Sequence, residues 1–276
     1  RLSEGRVENG KLRCMYHGWL YDSEGQVVQI PSEGPEKPKG PCRKANTFPT
    51  WEQDDLIFVC LSQKPAHEKP FASPHYGEKG WRTVRLVNSF TNNVTNCVEN
   101  FIDVPHTTYV HPKIFRDPEG HKVTMDIERR EGKVRIDYRN EKHKLGPFSW
   151  FLNPSGGAYQ HIDVFHNPNI TSVEYHFSAS KHFYITSQSV PVSETETLVY
   201  TDLTYQFGWL ITPFARFFVK RLGQAVIDQD LVILKNQATT IERYPDAFQN
   251  SRAELLHMWI ESIREASSEG RDHMAL

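Results

Sequence analysis

Short segments of alternating apolar and polar residues run through the first sixty positions and predict strands joined by turns. Three such segments are Lys11 to Cys14, Gln26 to Gln29 and Leu56 to Leu61, with Gly and Pro residues between them. A stretch rich in Pro, Lys and Glu then runs from Ser62 to Lys79. We therefore predict a small all-β domain at 1–65, a linker at 66–80 and a second domain at 81–276.

In the second domain the pattern predicts a helix, a sheet and two more helices. Apolar residues between Ser89 and Asp103 recur at the spacing of an amphipathic helix, at Val94, Cys97, Val98, Phe101 and Ile102. Alternating segments typical of an antiparallel sheet follow, at Lys122 to Glu128, Lys133 to Tyr138, Thr171 to His176, His182 to Val190 and Thr197 to Tyr205. Helices are predicted from Pro213 to Thr240 and from Ser251 to Glu265, with Ser251 as a cap. The predicted fold class is α+β.

Charge and cysteine content exclude several classes of protein. The 32 Lys and Arg residues against 34 Asp and Glu leave a formal net charge of -2, so no overall field attracts nucleic acid or an anionic membrane. No apolar run approaches the roughly 20 residues that cross a bilayer, and the first ten residues are too polar for a signal peptide. We therefore expect a cytoplasmic protein. Four cysteines in 276 residues argue against a disulfide scaffold and favour reduced thiols that bind metal.

A cysteine and a histidine stand three residues apart, Cys14 and His17, in what the pattern predicts to be a tight loop after a strand. Two such side chains can serve one metal site. In a Rieske centre one iron carries two Cys ligands and the other carries two His ligands. Taken alone the pair fits equally a structural zinc half-site, or a buried Cys beside an incidental His.

The segment from Glu99 to His111, ENFIDVPHTTYVH, places two histidines close to an asparagine and an aspartate. Two neutral imidazoles and one carboxylate on one face of Fe(II) leave open positions for O2 and substrate. Pro105 is expected to end or kink the preceding helix, so that the imidazoles lie on a distorted segment.

An acid distant in sequence would have to complete such a site, and the predicted helix near Gly223 to Gln237 offers Asp228 and Asp230. On a helical projection Asp230 shares its face with the apolar residues Leu222, Val226, Ile233 and Leu234, whereas Asp228 lies beside Gln224 and Lys235. A carboxylate buried on an apolar face is costly unless a cation compensates it, which favours Asp230. Asp228 remains the alternative.

Both motifs resemble those of Rieske-type non-haem iron oxygenases. The string CMYHGWLYD, Cys14 to Asp22, resembles the second ligand loop of Rieske domains, and RLSEGRVENGKLR before it resembles the spacer between the two loops. ENFIDVPHTTYVH resembles the iron-binding signature of the catalytic domain. The resemblance implies a partial Rieske domain followed by a helix-grip, START-like catalytic domain with an antiparallel sheet and a long C-terminal helix.

The resemblance also implies two cofactors and their ligands. Cys14 and His17 would bind a Rieske [2Fe-2S] cluster, whose other ligands come from a Cys-x-His loop expected before Arg1. The remaining cysteines, Cys42, Cys60 and Cys97, are not followed by His at that spacing, so we expect a truncated chain with an incomplete cluster ligand set. His106 and His111 would bind a mononuclear Fe(II). The family's late-helix carboxylate supports Asp230, although Gln229 stands where the residue before it is commonly acidic.

Roles beyond the ligands follow from the same resemblance. Asp103 occupies the position of an acid that links an iron-ligand His to a cluster His across a trimer interface, here His17 of the partner subunit. Asn100 would tune the iron site or orient water. The donor of electrons would be a ferredoxin or a flavin reductase.

The resemblance implies O2-dependent oxidation of an apolar or aromatic small molecule. The compact spacing between the two motifs resembles that of the smaller homo-oligomeric demethylase and hydroxylase branch more than that of the larger α subunits of ring-dihydroxylating dioxygenases. This resemblance implies monooxygenation, meaning hydroxylation or oxidative demethylation, with ring cis-dihydroxylation as the alternative. Aromatic clusters at Phe148 to Phe151 and Phe214 to Phe218 suit an apolar pocket, although such runs are more often core. Two alternatives lie outside the oxygenases: a helix-grip protein that only carries a hydrophobic ligand, and a pure electron-transfer Rieske protein.

Overall fold

Two units make up the structure, which is a computed structural model. The first is Arg1–Ala72 and the second is Ser73–Leu276. The described residues are 1–36, 38, 43–61, 69–112, 114, 124–130, 132–139, 157–244 and 255–269. The domain limits given above stay a prediction.

The first unit is built from short antiparallel strands. Its strands are β1 (Arg6–Glu8), β2 (Lys11–Arg13), β3 (Leu20–Tyr21), β4 (Val27–Gln29), β5 (Thr50–Gln53) and β6 (Leu56–Val59). Strands β1 to β4 form one sheet in that order, and β5 pairs with β6 in a hairpin. The sequence pattern anticipated β2, β4 and β6 but missed β1, β3 and β5.

The second unit contains a seven-stranded antiparallel sheet in the order β7-β13-β12-β11-β10-β9-β8. Its strands are β7 (Arg82–Phe90), β8 (Thr124–Arg130), β9 (Lys133–Arg139), β10 (Gln160–His166), β11 (Ile170–Ser178), β12 (Lys181–Pro191) and β13 (Thr197–Phe207). The α+β fold class is confirmed. Strands β7 and β10 were missed in the sequence, and β10 was missed because polar residues occupy positions in it that turn out to be buried.

Among the described residues of this unit, four α-helices accompany the sheet: α1 (Val94–Asn100), α2 (Val104–Val110), α3 (Arg216–Arg243) and α4 (Leu255–Ser268). The prediction of one helix from Ser89 to Asp103 is wrong at both ends. Strand β7 runs to Phe90, and Asn93 caps α1 by accepting a hydrogen bond from the backbone N–H of Asn96 at 2.9 Å. The proposed cap Ser251 lies outside the described residues.

A close approach of helix to sheet fixes the position of α3. A Cβ atom added at Gly223 would lie 2.4 Å from Leu203 Cδ1 on β13, so a larger residue at this position would displace the side chain of Leu203. Buried residues on both elements, including Leu86, Leu203 and Ile227, form one apolar cluster. A second cluster joins α4 to α1 and β9, through Ile260, Ile263, Val98 and Val134 among others. The helix that bears Asp230 is thereby held against the sheet.

Acid is expected to destabilise this unit through His166 at the end of β10. Burial, and then the charge of Lys133, lower the pKa of His166 to about 4. In the unfolded chain the imidazole of His166 therefore takes up a proton below pH 6.5, whereas in the folded chain it does so only near pH 4. The free energy of unfolding should fall as pH drops through this window, by up to about 3 kcal/mol. Denaturant unfolding of wild type and His166→Asn at pH 7, 5.5 and 4.5 measures this slope, and equal slopes would contradict the assignment.

Candidate metal centre

Helix α2 carries both histidines of the predicted iron motif. Asp103 precedes this helix and Pro105 lies in its first turn, where proline loses no helical hydrogen bond. His106 therefore lies on regular helix, and the prediction that Pro105 distorts its segment is wrong. The distortion comes at His111, which ends the helix with φ -115° and ψ 59°. This change of direction lets two imidazoles five residues apart converge, with ring centroids 5.4 Å apart.

Asp230 on α3 faces both imidazoles. Its Oδ1 lies 3.1 Å from His111 Nε2 and 3.6 Å from His106 Nε2. The side chain of His111 is 1% exposed and that of Asp230 is 5% exposed. Asp228 is exposed on another face of the helix and accepts a hydrogen bond from Gln224 Nε2 at 2.8 Å. Ile233, which the helical projection placed beside Asp230, is 43% exposed, so the apolar face is narrower than predicted.

The three side chains offer what a cation requires. Their ligand atoms all lie within 4.8 Å of one another. Asp230 Oδ1 and His106 Nδ1 are buried and make no hydrogen bond with the described residues. A buried carboxylate oxygen without a donor is costly, and a metal ion between the imidazoles would compensate it. The donor set of two imidazoles and one carboxylate suits non-haem Fe(II).

Gln229 orients one of these imidazoles. Its Oε1 lies 2.7 Å from His111 Nδ1, so Nδ1–H donates to the amide oxygen and Nε2 is left for the metal. Burial lowers the pKa of His111, but the adjacent carboxylate of Asp230, together with the hydrogen bond to Gln229, outweighs this effect and leaves the pKa above its ordinary value. Sequence reasoning noted Gln229 only as a departure from the family pattern. Its position next to Asp230 was the signal that it shares the site.

Gln229→Leu is expected to weaken Fe(II) binding about 10- to 100-fold, because His111 loses the acceptor that fixes its ring. Gln229→Glu retains an acceptor and should keep near wild-type affinity. Anaerobic titration with Fe(II), with Asp228→Asn as a control on the exposed face, checks both. Equal affinities for Gln229→Leu and wild type would exclude this role.

Asp103 and Asn100 lie at the edge of the same centre. Asp103 Oδ2 is 3.6 Å from His106 Nδ1, beyond hydrogen-bond distance, and its side chain is 38% exposed. Asn100 ends α1 and lines the adjoining cavity. Its Nδ2 is buried and makes no hydrogen bond with the described residues. The structure therefore places the carboxylate of Asp103 next to His106. It places Nδ2 of Asn100 at the cavity, where this group can donate a hydrogen bond.

An apolar cavity opens beside the three metal-binding side chains and encloses about 150 Å³. Its wall is formed largely by the helix-facing side of the sheet, with Val173, Phe177, Phe183, Ile185, Leu203 and Phe207. From the aromatic cluster at 214–218 only Phe218 lines it, whereas Phe214 and Phe217 are exposed. The cluster at 148–151 lies outside the described residues.

In the first unit, Cys14 and His17 lie on the tight turn between β2 and β3. Cys14 N–H donates to Trp19 O at 2.8 Å, and Gly18 N–H donates to Cys14 O at 3.0 Å. Gly18 has φ +70°, a conformation that favours glycine. His17 and its neighbours Met15 and Tyr16 are exposed. Within the described part of the chain, no other group of three ligating side chains besides His106, His111 and Asp230 has the spacing to hold a metal ion.

The fold and the candidate metal centre together define a class of protein. A helix-grip domain whose two histidines and one aspartate meet at an apolar cavity has the features of a mononuclear non-haem iron oxygenase domain. Residues 91–257 match the vanillate O-demethylase oxygenase C-terminal domain, and residues 1–51 match the Rieske [2Fe-2S] domain. The chain belongs to this family of Rieske oxygenases. Membership implies a Rieske [2Fe-2S] cluster and a mononuclear iron.

Curated relatives carry oxygenase names. The oxygenase component of dicamba O-demethylase from Stenotrophomonas maltophilia is 34% identical over 113 residues, which cover 40% of this chain and 32% of the relative. Flavonoid 8-hydroxylase 2 from Ocimum basilicum is 26% identical over 247 residues, covering 82% of this chain and 44% of the relative. The chain thus matches less than half the length of either relative.

Solved structures share the fold. Dicamba monooxygenase bound to dicamba superposes with a TM-score of 0.77 at 18% identity, covering 97% of this chain and 82% of that one. Pseudomonas putida CBB5 NdmA with caffeine gives a TM-score of 0.76 at 19% identity, covering 98% and 76%. Among the described residues no helix combines the length and apolar character needed to span a membrane.

Proposed function

We propose that this chain is the terminal oxygenase component of a Rieske-type system, which uses O2 and relayed electrons to hydroxylate or oxidatively demethylate an apolar or aromatic small molecule. One observation carries the proposal. His106, His111 and Asp230 converge within 4.8 Å at the wall of a cavity whose other surfaces are mainly apolar. Such a cavity is where an apolar substrate would meet open metal positions.

Each residue of the centre has a separate task. His106, His111 and Asp230 would hold the ferrous ion, with two imidazole nitrogens and one carboxylate as its ligands. Bound there, it would supply the O2-activating redox chemistry, with electrons from the Rieske cluster. Gln229 accepts from His111 Nδ1–H and keeps that ring in the tautomer that binds metal. Asn100 presents Nδ2 to the cavity, where it orients water or tunes the iron site.

Asp103 is assigned as a positioning residue that acts through His106. Its carboxylate faces His106 Nδ1, and a rotation of the exposed side chain would close the 3.6 Å gap to a hydrogen bond. The same carboxylate would reach His17 of the partner subunit in a homotrimer, and so connect the two metal sites. The Asp103 side chain is 38% exposed and lies at the edge of the buried centre, so a neighbouring subunit could contact it.

The cluster and the electron donor complete the proposal. Cys14 and His17 lie on one exposed turn, as expected for one ligand to each iron of a Rieske cluster. A ferredoxin or a flavin reductase would reduce it. Monooxygenation is preferred over ring cis-dihydroxylation, in keeping with the demethylase and hydroxylase names of the relatives. The cytoplasmic location stays a prediction.

The test is a reconstitution of the holoenzyme, with all four ligands of its Rieske cluster present, together with a reductase and a ferredoxin. O2 uptake and product formation are followed over a panel of aromatic, terpenoid and methylated compounds. We expect substrate-dependent O2 uptake that His106→Ala abolishes while the cluster signal is kept. A hydrophobic-ligand carrier would bind the same compounds without mononuclear iron and without O2 uptake, and that outcome would overturn the proposal.

A further inference from the structure

A second polar pair lies in the wall of the same cavity, apart from the metal-binding side chains. His161 and Asp163 stand two residues apart on β10, with His161 Nε2 2.9 Å from Asp163 Oδ1. Their side chains are 3% and 1% exposed, and both line the cavity. Neither belongs to the group of His106, His111 and Asp230. The reaction proposed above assigns them no task.

Neighbouring strands fix the orientation of this pair. The ring of His161 is stacked between Tyr138 on β9 and Tyr175 on β11, with centroids 4.4 Å away on each side and interplanar angles of 22° and 23°. Asp163 is flanked in register by Ile136 and Val173. The imidazole therefore cannot swing away, and apolar residues stand on both sides of the carboxylate. The two polar side chains are thus held in position before any ligand arrives, which is what a binding site requires.

Stability alone does not account for the pair. Two groups that ionise lose their hydration when buried, and replacing a buried ion pair by apolar residues of similar volume is often neutral or stabilising. Asp163 Oδ1 is moreover buried and accepts no hydrogen bond from the described residues, because its contact with His161 lacks hydrogen-bond geometry. An acceptor in this state calls for a donor. The cavity that it lines is where a donor from a ligand would arrive.

The charges around the cavity select the kind of ligand. Three carboxylates line it, those of Asp103, Asp163 and Asp230, while its described lining contains neither Lys nor Arg. Apart from the proposed iron, an anionic ligand would meet carboxylates and no Lys or Arg side chain of the described lining to pair with. A neutral ligand that carries an O–H or N–H group can donate to Asp163 and bury its apolar part against the aromatic and aliphatic wall. A cavity of about 150 Å³ is large enough for a benzene ring.

We propose that His161 and Asp163 form the polar anchor of the substrate site, and that the substrate is an uncharged ring compound with one hydroxyl or N–H donor. The donor binds Asp163, and the apolar remainder points toward His106 and His111. This inference rests on the proposed function in one respect, namely that the ligand of the anchor is the substrate of the oxygenase. The anchor itself is a binding property that does not depend on iron.

Calorimetry on the full-length protein tests the anchor with phenol, toluene and benzoate as probes, with iron removed and with iron bound. Wild type is expected to bind phenol about 10- to 100-fold more tightly than toluene, which corresponds to one hydrogen bond to a carboxylate. The double variant His161→Phe/Asp163→Val keeps the stacked ring and removes both polar groups. Its phenol-to-toluene ratio should fall to about one, with toluene affinity unchanged. Benzoate should bind more weakly than phenol to the iron-free wild type.

Asp163→Asn is the second variant, and it tests the anchor if the double variant does not fold. We expect its affinity for phenol to fall about 10-fold, with its affinity for toluene unchanged. His166→Asn on the same strand, outside the cavity lining, is the matched control and should keep the wild-type ratio. The proposal is overturned if the ratio is the same in wild type and in the Asp163 variants, or if benzoate binds most tightly to the iron-free protein. Absence of bound iron would instead count against the oxygenase proposal and leave these ratios interpretable.

Discussion

Replacing Asp230 by alanine is expected to remove the mononuclear iron and with it all substrate-dependent O2 uptake. The change takes away the only carboxylate among the three ligand side chains and leaves two imidazoles, so Fe(II) affinity should fall more than about 100-fold, beyond the loss seen when an outer partner is removed. Iron per chain and O2 uptake are the measurements. The fold should survive, because the variant also removes a buried carboxylate whose Oδ1 accepts no hydrogen bond from the described residues.

Asp228→Ala is the matched control for this experiment. It changes an acid on the same helix, two residues away, whose side chain is exposed and bonded to Gln224. We expect full iron content and normal O2 uptake. If Asp228→Ala loses iron and Asp230→Ala keeps it, the assignment of the carboxylate ligand is reversed.

Asp103→Ala should give a different result, in which both metals stay and turnover falls. Its carboxylate faces His106 from outside the metal-binding group, so its removal leaves all three ligands in place. We expect a loss of about 10- to 100-fold in turnover with unchanged Fe(II) affinity. Single-turnover reduction of O2 by the prereduced holoenzyme separates slow electron supply from a damaged iron site.

Glu99→Gln provides the control for the Asp103 experiment, since Glu99 belongs to the same segment but contacts His257 on α4 instead of the centre. It should leave turnover unchanged. Full turnover in Asp103→Ala would remove the positioning role, and loss of iron in that variant would show that Asp103 supports the metal site directly.

The sequence was sufficient to predict the parts of the site that rest on periodicity and residue type. Asp230 stood out because a carboxylate on an apolar helical face is costly, and the structure buries it between the two imidazoles. The sheet order and the approach of α3 at Gly223 depend on contacts between residues far apart in the chain, which a single sequence does not reveal.

Local exceptions account for what was missed. Strand β10 is buried on both faces, and His161 and Asp163 occupy buried positions where a strand pattern predicts apolar residues. The helix predicted from Ser89 to Asp103 is shorter at both ends, because Asn93 caps the start of α1 and the helix ends at Asn100, before Asp103 precedes a new helix. In each case the deviation from the simple pattern lies at or next to the cavity, where function sets the residue types.

The most direct test of the central claim is anomalous diffraction at the iron edge from crystals of the Fe(II)-loaded protein. We predict one mononuclear iron peak at bonding distance, about 2 Å, from His106 Nε2, His111 Nε2 and the Asp230 carboxylate. An iron peak elsewhere, or none within reach of these three side chains, would contradict the account.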